Sequence, residues 1–220
     1  MKRLAILATS VVLSASANAA TVSFSFAFPQ ATTDIMQTGF LGLFDSSLGT
    51  LTAANIVVNG QATMSFSGRN SATDERGATI TSFVELIWDS SINELDSFLL
   101  DSVSLSASSG FQTYAGGETK GFGPFSVSGS KTDDLAAILA SLQAPGGGDF
   151  SVNCQSLTSR LIQGGGGAVF VSSQAATAGC GAEIVYTYDN SPTPVPEPGS
   201  LALMGLAVAA LGAVRRQRKV

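Results

Sequence analysis

Polar and apolar residues alternate over much of this chain. In residues 21–28, TVSFSFAF, the side chains of Val22, Phe24, Phe26 and Phe28 fall on one side and small or hydroxyl residues on the other. A period of two marks a strand with one buried face. Residues 62–67 repeat it with Ala62, Met64 and Phe66 inward, and residues 103–107, 122–127, 168–171 and 182–188 behave likewise. Residues 79–88 read as a longer, less regular strand. Gly, Asn, Asp and Ser separate these runs at the spacing expected of a sandwich.

One segment breaks the pattern. In residues 133–142, Leu135, Ile138, Leu139 and Leu142 recur at helical spacing. Asp133 and Asp134 stand where they favour a helix N-terminus, and Pro145 with three glycines stops the run. The expectation is a short helix packed on or between sheets. No repeat of about 20–50 residues is present, which argues against a solenoid or propeller. The predicted fold class is therefore mainly all-β: a single β-sandwich or jelly-roll-like domain with one short helix, over residues 20–190.

Both ends differ from this middle. Met1-Lys2-Arg3 is a basic start, an apolar stretch follows, and residues 14–19 close on an Ala-x-Ala site at Ala17 and Ala19. That is the pattern of a secretory signal peptide, residues 1–19, cut after Ala19 by the secretion machinery. At the other end, residues 191–200 carry proline at every second position, which favours an extended spacer. Residues 201–214 then form an uncharged apolar run, and residues 215–220 hold Arg215, Arg216, Arg218 and Lys219. With the two residues before it, the run makes about 24 Å of helix against a hydrocarbon core of about 30 Å. It is a short transmembrane helix, and the four cations orient it with the basic tail in the cytoplasm and the domain outside.

Removing the two ends changes the charge. The stretch from 20 to 190 keeps five basic and 15 acidic residues, a net charge of −10 against −5 for the whole chain. Such a surface excludes nucleic acid as a partner, because phosphates need a basic face. Cys154 and Cys180 are the only cysteines, and both lie in the exported part. An even count in an oxidising compartment predicts one disulfide between them.

The chain has no histidine. Ser-His-Asp and Cys-His catalysis and histidine-ligated zinc or copper are thereby excluded in their usual forms. The glycine runs at 146–148 and 164–167 lack the lysine and the strand-to-helix setting of a phosphate loop and read as turns. Carboxylate pairs such as Asp74 with Glu75, or Glu94 with Asp96, keep glycoside hydrolysis open on residue type alone. With Asp89 and Asp101 these acids are also candidates for Ca²⁺, although no EF-hand or RTX spacing accompanies them, and the expectation is no cofactor. Trp88, Tyr114, Tyr186 and Tyr188 are candidates for stacking on sugars, against the plainer reading as core aromatics.

Pro196, Glu197 and Pro198, followed by the short span and the RRQRK end, resemble the PEP-CTERM sorting signal of Gram-negative bacteria. The resemblance implies recognition by an exosortase-type membrane peptidase, transit through the inner membrane, and delivery to the cell surface or extracellular matrix of cells that make exopolysaccharide. A second resemblance lies at 44–52, FDSSLGTLT, with the alternating residues 56–60 and the closing strand 184–188. These look like the choice-of-anchor E type of extracellular β domain; read physically, Asp45 and Gly49 bracket a turn, and Leu48 and Leu51 are expected to enter the core. The expectation is a non-enzymatic, exported, structural or adhesive protein. A carbohydrate-binding module for exopolysaccharide is the alternative, and a carboxylate-dependent glycoside hydrolase the third reading.

Overall fold

The computed structural model describes residues 19–164, 170–190 and 205. The alternation seen in the sequence becomes two antiparallel sheets laid face to face. The first has the order β1 (Ala19–Ala27), β11 (Phe170–Asp189), β5 (Thr50–Asn70), β8 (Thr119–Asp134), with the short β2 (Ala31–Thr32) also on β11. The second has the order β3 (Met36–Gly42), β10 (Asp149–Gly164), β6 (Arg76–Ser90), β7 (Val103–Tyr114). A two-stranded parallel pair, β4 (Phe44–Asp45) with β9 (Gln143–Ala144), closes one end.

The core lies between the inner faces. On β5 it takes Ile56, Val58, Ala62, Met64 and Phe66, and on β6 Ile80, Val84, Leu86 and Trp88, all buried. Burying each large side chain contributes about 1.5–3 kcal/mol, so these two strands supply a large share of the hydrophobic term. The sheets approach closely at Gly60, where a Cβ would collide with the Leu86 side chain of the facing sheet. Residues 79–88, which read as irregular, alternate without a break. The signal was blurred because Ser82 faces inward, donating to Met64 Sδ at 3.3 Å, while Ile87 faces outward.

The helix expected over 133–142 is not formed as an α-helix. Asp133 and Asp134 still belong to β8, and the Leu135 amide donates to the Ala54 carbonyl at 2.8 Å, tying the segment to the sheet. Residues Ala136–Leu142 form 3₁₀ turns broken at Ile138, with Leu135 and Leu142 buried. The tether at Leu135 and the short crossing to β9 favour tight 3₁₀ turns over a longer α-helix. The α-helix lies elsewhere, at Asn93–Leu99 (α1), with Leu95 and Leu99 buried on one face. Lys131 holds its C-terminal end by donating to the Phe98 carbonyl at 2.6 Å. Leu48 also departs from expectation: it stands in the 3₁₀ turn Ser46–Leu48 and is exposed, whereas Leu51 is buried.

Candidate functional site

The two cysteines are bonded to each other, with Cα atoms 6.4 Å apart. Cys154 sits on β10 and Cys180 on β11, so the bridge joins an interior strand of one sheet to an interior strand of the other. Both are buried, and Trp88 of β6 stands beside Cys154 in register on the same inner face. Gln37 of β3 reinforces the crossing, its side-chain oxygen accepting from the Cys180 amide at 3.2 Å.

β1 begins at Ala19, directly opposite Asp189 at the end of β11. The site assigned to leader removal and the exit toward the C-terminal tail therefore lie side by side at one end of the first sheet. Ala17, Pro196, Glu197, Pro198, Arg215, Arg216, Arg218 and Lys219, together with the span expected over 201–214 apart from Gly205, lie outside the described residues. Among the described residues no helix is long and apolar enough to cross a membrane.

The acidic candidates stay close in the pairs that the sequence offers, Asp74 beside Glu75 and Glu94 near Asp96, and most have protein partners. Asp74 pairs with Arg76 at 2.8 Å, and Asp89 accepts from the side-chain Nδ2 of Asn153 at 2.6 Å. Glu94 and Asp96 fall in the first turn of α1, where Asp96 accepts from the Ser90 amide at 2.6 Å. Asp101 and Asp133 flank Lys131 at 3.3 and 3.2 Å. Among the described residues no three carboxylates or cysteines come together as a metal ligand set. Asp45 has the most definite electrostatic setting. Hydrogen bonds from the Ser47 amide and side chain, and from the Gly146 amide, hold its carboxyl below the usual range.

The aromatic candidates are corrected by burial. Trp88, Tyr114 and Tyr186 lie inside the sandwich, and Tyr188 packs on Phe44 at 5.1 Å between ring centres. None of the three buried rings offers a face to a sugar. Burial also pushes the Tyr114 hydroxyl up, with Glu118 adding to the effect, and pushes Tyr186 up strongly.

The outer faces of the two sheets differ in chemistry. That of the second carries exposed Met36, Phe40, Ile87, Leu157 and Leu161. That of the first presents a row from β5, Asn59, Gln61, Thr63, Ser65 and Ser67, at the positions alternating with its buried residues. Open hollows of about 490 and 430 Å³ lie along this face, and one of about 550 Å³ opens round the β11 edge, where Thr158 of β10 also lines it. The sequence reading missed this surface, although its signal was present in the same alternation that located the core.

Residues 194–219 match the PEP-CTERM protein-sorting motif. The motif marks proteins that are exported through the membrane to the cell surface, and it implies recognition by exosortase, itself a membrane protein. No curated protein matches the chain. Among solved structures, the chain is similar at 8% identity to the infectious bursal disease virus Gx strain, over 90% of this chain and 50% of that one, with a TM-score of 0.20. The VP2 subviral particle of the same virus aligns at 8% identity over 79% of this chain and 38% of that one, with a TM-score of 0.17. The chain thus spans about half or less of the length of these viral chains.

Proposed function

We propose that this is a non-enzymatic protein of the cell surface or extracellular matrix, with a structural or adhesive role among exopolysaccharide. The observation that carries the reading is the position of the sorting motif. It starts at residue 194, four residues beyond the last described residue of the sandwich, Asn190. A folded β domain joined directly to an export signal is cargo whose destination is set by its tail.

Three further features support it. Leader removal after Ala19 by the secretion machinery would leave Ala20 at the start of β1, already in place for pairing with Tyr188. The Cys154–Cys180 bridge suits an oxidising exterior. Of the carboxylates that a glycosidase would need in facing pairs, Asp74, Asp89 and Asp96 are each engaged in a salt bridge or an amide contact. In this reading the domain is of the choice-of-anchor E type and works without a cofactor. The tail passes through the inner membrane as the 201–214 helix, with Arg215, Arg216, Arg218 and Lys219 facing the cytoplasm.

The test is removal of residues 196–220 in the producing cell. Loss of the protein from the surface and culture fluid is expected. Undiminished delivery of the shortened chain would end the sorting assignment.

A further inference from the structure

We propose that the outer face of β5 and β11 is a binding trough for an extended neutral polysaccharide. The inference deepens the matrix role proposed above and rests on that reading. Opposite Asn59, Gln61, Thr63, Ser65 and Ser67 of β5 stand Gly181, Gly179, Thr177, Ala175 and Ser173 of β11. On the other side, Ser130, Ser128 and Ser126 of β8 continue the first three rows. All of these positions are uncharged in a domain rich in acids.

The side chains give the surface its relief. The β11 row is low, the β5 row stands higher, and the backbone of residues 28–30 forms the opposite rim. That rim passes so close that a Cβ at Gly179 would lie 2.7 Å from the Phe28 carbonyl oxygen and 3.0 Å from the Gln30 nitrogen. The first hollow lies on Asn59, Gln61, Ser128 and Ser130, with Phe28 at its edge. The second and third share Ser65, Gln174 and Ala175, the second continuing round the β11 edge to Thr158 of β10. From Asn59 to Ser67 the strand covers about 27 Å, room for several sugar units in line.

The chemistry selects the ligand class. Hydroxyls and carboxamides both donate and accept, as sugar hydroxyls do. Two cross-strand pairs fix part of the array: Thr63 with Ser126 at 3.4 Å and Ser67 with Ser173 at 2.7 Å. Each contact competes with water and is weak alone, so binding depends on many units of one chain engaging together. Arg69 stands two positions beyond Ser67 on β5, but between Asn59 and Ser67 the rows carry no cation, and the net charge of the domain repels a phosphate or carboxylate polymer. A peptide strand adding to the sheet would pair with the outer edge of β11, which β1 and β2 cover only down to Thr177, and would not lie across these rows, where β5 is paired on both sides.

Affinity electrophoresis of the protein recovered after export tests this, with hydroxyethyl cellulose, dextran, galactomannan or alginate cast in the gel. At least one neutral polymer should reduce mobility twofold or more, relative to a polymer-free gel, while anionic alginate should not. Ala175→Arg, which puts bulk and charge on an exposed position in the trough, should abolish the retardation. Ser104→Arg, on the outer face of the second sheet, should preserve it. The trough is overturned if no neutral polymer retards the protein, if alginate retards it equally, or if Ala175→Arg and Ser104→Arg behave alike. These outcomes leave the tail-deletion result untouched, so failure of the trough and failure of the sorting reading are separable.

Discussion

Tyr186 on β11 donates its hydroxyl proton to the carbonyl oxygen of Gly42 on β3, at 2.9 Å and fully buried. The bond runs from one sheet to the other, next to Phe44 and Phe24, whose rings pack on the tyrosine. Burial raises the phenol's pKa well above its ordinary value, so it stays a donor where a free tyrosine would begin to ionise.

Tyr186→Phe keeps the ring packing and removes only the donor. The Gly42 carbonyl is then left buried without this partner, at a cost of about 1–3 kcal/mol. Urea denaturation should show a lower midpoint with an unchanged slope, and an unchanged midpoint would mean that water replaces the hydroxyl.

The disulfide closes a loop with a sequence separation of 26. In the chain-entropy description, the double variant Cys154→Ala/Cys180→Ala should lose about 3 kcal/mol, with a further loss from the buried volume removed. Because both sulfurs are buried, native protein should also resist a mild reductant such as glutathione until it is partly unfolded. Fast reduction under native conditions, followed by thiol labelling, would contradict this placement.

Asp45 joins the turn Ser46–Leu48 to the loop at Gly146 through its carboxylate. Its folded-state pKa is lowered, so its contribution is present above the ordinary carboxylate range and is lost as pH falls through the folded value. Asp45→Asn should therefore destabilise the protein at pH 7 and flatten the acid limb of its stability profile. Parallel profiles for the two proteins below pH 5 would show that the charge is not used.

Much of the fold was legible because strand alternation is a local signal. Val22, Phe24 and Phe26, and Ala62, Met64 and Phe66, take the inward positions that period two assigns them. What failed depended on distant partners. Residues 135–142 have helical spacing, yet the sheet claims the Leu135 amide and the chain turns as 3₁₀. In α1 the spacing of Leu95, Phe98 and Leu99 was a helix signal, hidden by a short length and by acids that looked like a loop. Trp88 and Tyr114 were open to a surface reading because strand aromatics carry no mark of which face is covered. The Cys154–Cys180 pairing followed from count and compartment alone. The neutral trough required the register of β5, β8 and β11, which no single segment contains.

The decisive measurement is the intact mass of the protein recovered from the cell surface and culture fluid, taken before and after reduction. A chain beginning at Ala20 and ending near Pro196, two daltons lighter before reduction, is the predicted result. A chain that keeps its C-terminal basic residues and is found only in the inner membrane would contradict release to the exterior, and the matrix role would fall with it.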